Sequence, residues 1–171
     1  AEIFFANGNI YKGNFKKGRK DGKFQIIDSN GEVTYKNSKP HGLWTEWYEN
    51  GQLKSEKRYK DGKRHGKCIG WHENGLMFIE SFYKNGKAEG THMKWNKDGT
   101  LIRKTNWKDN KLDGEQIQWY GNGQMSQKSF YQYNRIEGKR IGWYENGQKH
   151  YEDNYEDGLL DGYSVTYREN G

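Results

Sequence analysis

The chain of 171 residues contains a single cysteine, Cys68, and a single proline, Pro40. One thiol excludes an intramolecular disulfide framework, and no Cys/His spacing resembles a zinc site. The near absence of proline leaves strand N–H groups free to pair. Aliphatic residues are also scarce: 31% of the chain is hydrophobic against 30% charged, too little for a thick two-layer core. No apolar run approaches the roughly 20 residues of a spanning helix, and no charged-then-apolar leader opens the chain, which predicts a soluble protein. The start at Ala1 fits a cleaved leader as well as a trimmed terminus, so the compartment stays open. Low hydrophobicity with a net charge of +6 resembles disorder, but disordered chains are poor in aromatics, and here 7 Trp, 13 Tyr and 7 Phe make up 16%. With 23 Gly to supply tight turns, the composition predicts strands joined by turns.

A repeat organises those rings. Five gap-free blocks of 24 residues begin at His41, His65, Glu89, Asp113 and Glu137, and a partial block begins at Asp161. Position 2 is always Gly (Gly42 to Gly162), and position 7 is aromatic: Trp47, Trp71, Trp95, Trp119, Trp143 and Tyr167. Positions 10 and 11 are Asn-Gly or Asp-Gly, from Asn50-Gly51 to Asn170-Gly171. Position 19 is again a ring, at Tyr59, Tyr83, Trp107, Tyr131 and Tyr155, followed by a polar turn such as Asp61-Gly62. Residues 1–40 hold shortened copies of the same frame, with Phe4 in the Trp47 column and Asn7-Gly8 as a turn. We therefore read residues 1–171 as one array: 1–40 shortened, 41–160 five full repeats, 161–171 partial. Since the array starts and stops inside a repeat, the native protein is expected to extend further, and a structural spacer within a longer surface protein is an alternative to a binding role.

An Asn-Gly pair between alternating strands marks a hairpin with either a two-residue turn or a three-residue loop carrying a Gly bulge. The three-residue loop puts the Trp47, Leu53 and Tyr59 columns on one face, with Ile69, Met77 and Ile79 in one block and Met93 and Leu101 in the next. The expected fold is all-β: an elongated, single-layer, twisted antiparallel sheet of tandem hairpins, on the order of 70 Å long.

The stretch Tyr11-Lys-Gly13-Asn-Phe15-Lys-Lys-Gly18-Arg-Lys-Asp-Gly22 resembles the MORN repeat, and blocks such as Gly42 to Gly62, with Trp47-Tyr-Glu-Asn-Gly51 and Tyr59-Lys-Asp-Gly62, resemble its longer bacterial variant. The resemblance implies a scaffold or binding module, in some members at membranes. Many bacterial proteins with the variant are catalogued as antitoxins or immunity proteins paired with toxins. Asn110 and Asn134 depart from the pattern by replacing a turn Gly, and Lys149 replaces an apolar residue, but both amides tolerate left-handed turn positions.

No residue set points to catalysis. His41 and His65 share a column with Glu89, Asp113, Glu137 and Asp161, a turn position asking only for a polar side chain, while His92 and His150 have no repeated partner. No nucleophile–base pair, metal site, cofactor site or small-molecule substrate site is readable, and the Gly-rich pieces lack the helix that phosphate binding uses. If the repeated residues are framework, specificity resides in variable columns. Trp44, Tyr48, His72, Phe82, Tyr120, Phe130 and Tyr144 are expected on the face opposite the Trp47 column, as candidates for contacting a protein partner such as a toxin. Their alternative role is stacking along the sheet. Residues 1–112 carry 23 Lys and Arg against 13 Asp and Glu, whereas residues 113–171 carry 6 against 10. The basic part, including Lys16, Lys17 and Lys20, could meet an acidic protein or an anionic membrane. Nucleic acid fits poorly, because the lysines alternate with Asp and Glu in the same strands.

Overall fold

Two turn chemistries alternate along the chain, and together they set the architecture of this computed structural model, which describes residues 2–4, 10–26 and 30–170, with side chains from residue 10 onward. Phe4's ring, Asn7-Gly8 and Gly171 lie outside the described residues. Among the described residues there is no helix, and the chain divides into two compact units, Ala1–Lys87 and Ala88–Gly171. The first holds β1 (Glu2–Phe4), β2 (Ile10–Lys16), β3 (Arg19–Ile26), β4 (Gly31–Lys36), β5 (Lys39–Trp47), β6 (Leu53–Lys60), β7 (Lys63–Trp71) and β8 (Met77–Lys84). After the two-residue β9 (Lys87–Ala88), the second holds β10 (Gly90–Trp95), β11 (Leu101–Lys108), β12 (Lys111–Trp119), β13 (Met125–Gln132), β14 (Arg135–Trp143), β15 (Lys149–Glu156) and β16 (Leu159–Thr166). In each unit every strand pairs antiparallel with the next, giving an open all-β sheet of tandem hairpins.

The Asn-Gly turns are the three-residue loops expected. Tyr48 N–H donates to Gln52 O at 2.8 Å and Gly51 N–H donates to Tyr48 O at 3.0 Å, with Gly51 at φ +83°. The same pair of bonds closes the loops after Trp71, Trp95, Trp119 and Trp143. The other turns are two-residue turns with both φ positive, such as Asp61 (+51°) and Gly62 (+85°), the mirror-image type that matches strand twist. Asn110 (+68°) and Asn134 (+70°) occupy that second position as their amides allow. Each returns a bond: Asn110 Oδ1 accepts from Ala88 N–H, and Asn134 Oδ1 accepts from Leu112 N–H.

The faces differ from the sequence expectation in one respect. After Trp47 pairs with Leu53, the register shifts so that Glu46 pairs with Ser55, leaving Lys54 as an extra residue. One extra residue reverses the inside–outside alternation of the rest of β6. Consequently Trp47 and Leu53 share one face with Leu43, Thr45, Glu56 and Arg58, whereas Tyr59, opposite Gly42, lies on the other face with Trp44, 5.7 Å between ring centroids. The same shift recurs before Trp71, Trp95, Trp119 and Trp143. Tyr59, Tyr83, Trp107, Tyr131, Tyr155 and Ile79 therefore sit opposite the Trp47 column, and Phe82 and Phe130 sit with it, correcting the predicted grouping. We call these the tyrosine face and the tryptophan face.

The apolar core of the first unit lies on the tyrosine face: Tyr11, Phe24, Ile26, Val33 and Tyr35 are buried, with Phe15 and Trp44 against them. Phe24 is fully buried and its ring crosses β2 at Gly13, where an added Cβ would lie 2.5 Å from it. Burial raises the Tyr35 phenol to about 12, with Tyr11 and Tyr59 adding to the shift.

Candidate interaction faces

Three surfaces can meet a partner, and each follows from the two-turn frame. On the tyrosine face, position 8 carries rings whose hydroxyls are already used. Tyr48 donates to Trp71 O at 2.7 Å, Tyr120 to Trp143 O at 2.7 Å and Tyr144 to Tyr167 O at 2.8 Å. Each bond reaches the next hairpin, 23 residues on, so these half-buried tyrosines tie repeats together. Trp44 packs on Tyr59 beside the core, and His72 lies 5.0 Å from Phe78. The five expected on this face are thus found there, with stacking and hydrogen-bonding roles of their own.

The tryptophan face is more open. Trp47, Trp71, Trp95, Trp119 and Trp143 are each half-buried, as are Phe82, Ile69, Met93, Ile117 and Ile141, while Phe130 is 46% exposed. Half-buried aromatic and apolar residues gathered on one face of a sheet mark interaction surfaces. Ion pairs run along the same face: Lys67 with Glu80 at 2.7 Å, Lys128 with Glu115 at 2.6 Å, and Lys139 with Glu152 at 2.8 Å. Glu152 also accepts from Lys149 at 2.6 Å and Tyr163 at 2.7 Å, and hydrogen bonds from Lys139, Lys149 and Tyr163 hold its carboxyl down at about 2. Its partner Lys139 is pushed well above the usual ammonium range by the same contacts.

The third surface is the row of two-residue turns. Lys16 lies directly opposite Arg19, Lys36 opposite Lys39, and Lys60 opposite Lys63. Like charges so placed repel. The first unit thus presents paired cations along one sheet edge, a feature visible in the sequence as Lys flanking each turn but not singled out there. The column holding His41, His65, Glu89 and Glu137 also gains a function. Asp61 N–H donates to His41 Nδ1 at 3.4 Å, Asn85 N–H to His65 Nδ1 at 3.4 Å, Asp109 N–H to Glu89 Oε2 at 3.2 Å, and Asp157 N–H to Glu137 Oε2 at 3.0 Å. The position asks for an acceptor to satisfy a turn 20 residues later. Among the described residues no group of three or more His, Cys, Asp or Glu could hold a metal ion.

A one-layer array of hairpins, pinned repeat to repeat and carrying a half-open aromatic face, defines a β-repeat module. The MORN repeat variant profile matches residues 40–61, 64–85, 112–133 and 136–157, four stretches of 22 that cover 88 of 171 residues. The chain belongs to the MORN repeat variant family, whose repeats commonly serve as protein- or membrane-binding modules. No curated protein matches it.

Proposed function

We propose that this protein is a non-enzymatic repeat scaffold that binds a partner protein through the tryptophan face, in the manner of a bacterial antitoxin or immunity protein gripping a toxin. The observation that carries this reading is that Trp47 and Trp71 in the first unit, and Trp95, Trp119 and Trp143 in the second, are each half-buried on the tryptophan face, with Phe82 and Phe130 on the same face of their units. Aromatic side chains of this kind dominate binding energy where a partner excludes water from them. The hydroxyls of Tyr48, Tyr120 and Tyr144 are committed within the sheet, which favours the tryptophan face over the tyrosine face as the contact surface. Co-purification from the native host tests the reading. A stoichiometric protein partner should be recovered, and Phe82→Ser with Phe130→Ser should release it while the melting temperature holds. Recovery of no protein partner, or a partner indifferent to both changes, would refute it.

The lysine pairs support a second reading, binding to an anionic membrane by the turn edge of the first unit. Flotation with phosphatidylserine vesicles should then fall steeply with salt and with Lys16→Glu, Lys36→Glu and Lys60→Glu. Flotation unaffected by both would remove this reading.

A further inference from the structure

The tyrosine face of the first unit carries a cavity that the repeat frame does not require. Four neighbouring positions there hold small residues, and at two of them, Ser55 and Cys68, every other full repeat carries a larger side chain. Cys68 stands in the column of Trp44, His92 and Arg140, and Gly70 in that of Glu46, Lys94 and Gly142. Ser55 replaces the Ile79 and Tyr151 type, while Ser81 shares its column with Lys57, Thr105 and Ser129. All four small residues are buried and form the floor. Above it opens a cavity of about 350 Å³, walled by the rings of Tyr48, Phe78 and Tyr83. That volume falls within the roughly 300–1,000 Å³ of small-ligand pockets, which are mainly apolar with a few polar groups.

The charged groups are not balanced. Glu46 supplies the lining carboxylate, and it is already taken: Ser55 Oγ and Lys57 Nζ each donate to it at 2.6 Å. Burial alone would raise its carboxyl, but those two donors outweigh burial and hold it below the usual range. Lys54 and Arg64 remain. Lys54 Nζ stands 5.5 Å from the Tyr48 ring centre, and the Arg64 guanidinium stands 5.2 Å from that of Tyr83, donating to its hydroxyl at 3.3 Å. Lys54 acts on the Glu46 carboxylate only through its charge, and among the described residues neither cation is hydrogen-bonded to a carboxylate. A ligand complementary to ring walls, a small-residue floor and two cations that outnumber the free carboxylates is flat, apolar and anionic.

We propose that this cavity binds an aromatic carboxylate, its ring between the Tyr48, Phe78 and Tyr83 walls and its carboxylate paired with Lys54 or Arg64. The guanidinium can bind the carboxylate through two N–H groups, a geometry the ammonium lacks. The chemistry has two sources, a free aromatic acid or the C-terminal aromatic residue of a polypeptide. The site stands apart from the tryptophan face, so it holds whether or not that face binds a protein.

The test uses the full chain and 3-phenylpropionate, followed by amide NMR shifts. Saturable shifts at Ser55, Cys68, Gly70 and Ser81 are expected, with a dissociation constant in the millimolar range. The neutral 3-phenylpropionamide should bind at least tenfold more weakly. One of Arg64→Gln and Lys54→Gln, the one that removes the pairing cation, should lower affinity for the acid about fivefold or more and leave the amide unaffected. Ser81→Leu should abolish the shifts by filling the floor; if it unfolds the sheet, the two Gln variants decide alone. A pentapeptide ending in Phe that binds more tightly than the free acid, and loses this on C-terminal amidation, identifies a chain terminus as the source. A peptide that binds more weakly identifies a free acid. Equal binding of acid and amide, or the absence of saturable shifts with the acid, would overturn the proposal.

Discussion

The tyrosine face is filled in two different ways. In residues 10–47 its columns hold Phe24, Ile26, Val33, Tyr35 and Trp44, and these make a dry core. In residues 113–166 the equivalent columns hold Gln116, Gln127, Arg140, Tyr151 and Asp153, and polar contacts replace it. Arg140 pairs with Asp153 and lies 5.0 Å from the Tyr151 ring and 5.1 Å from the Tyr155 ring. Asp153 also accepts from Ser164 at 2.6 Å, and Tyr151 donates to Gln127 at 2.9 Å across the close approach that Gly142 allows. The frame therefore does not dictate how its face is stabilised. Turn hydrogen bonds fix the backbone, and each stretch then fills its interior either mainly by apolar contact or mainly by pairing polar groups with one another.

That contrast can be broken from either side. The largest effect is expected at the dry core: Phe24→Ala should cost about 3–5 kcal/mol in urea unfolding, with hydrogen exchange accelerating in residues 10–47 far more than in residues 113–166. Acid should act on the other stretch. Glu152, held down at about 2, has a folded pKa below its unfolded one, so its contribution is complete above the unfolded value and is lost as pH falls through the folded value. Melting temperature should drop between roughly pH 4.5 and 2, and Glu152→Gln should flatten that slope. On the tryptophan face Trp95 is only half-buried, so Trp95→Ala should cost about 2 kcal/mol, measurably less than Phe24→Ala.

Smaller effects sharpen the polar side. Tyr120→Phe removes the bond to Trp143 O and should cost about 1 kcal/mol by thermal melting. Ser129 is 1% exposed, and its hydroxyl has no hydrogen-bond partner among the described residues. Ser129→Ala should leave stability unchanged or raise it slightly, because no hydrogen bond is lost and a buried polar atom is removed. A loss of more than about 1 kcal/mol in the same melts would show that the hydroxyl is bonded in solution.

Much of this was legible in the residues. The Asn50-Gly51 type of pair marks a hairpin without by itself fixing the loop length, and polar pairs such as Asp61-Gly62 or Asp109-Asn110 mark the other turns, whose two φ angles are positive. What was not legible is the extra residue at Lys54 and its equivalents Phe78, Ile102, Ser126 and His150. Those five side chains share no chemistry, because a bulged residue leaves the pairing ladder and is not selected by it. Missing it reverses half of each return strand, which is why Tyr59 and Phe82 exchange faces. The turn-capping column was visible as polar. Its purpose, accepting an N–H 20 residues away, needed the turn geometry first.

One feature of the turns bears on how the chain acquires its fold. The N–H of Gly62 donates to Pro40 O, that of Gly86 to Arg64 O, that of Asn134 to Leu112 O and that of Gly158 to Ile136 O. Every one of these pins runs backwards, to a carbonyl 22 residues upstream. A hairpin leaving the ribosome thus finds its anchor already made, and nothing in that pin waits for chain not yet synthesised. Growth can proceed by local closure alone, with short loops and low entropic cost at each step.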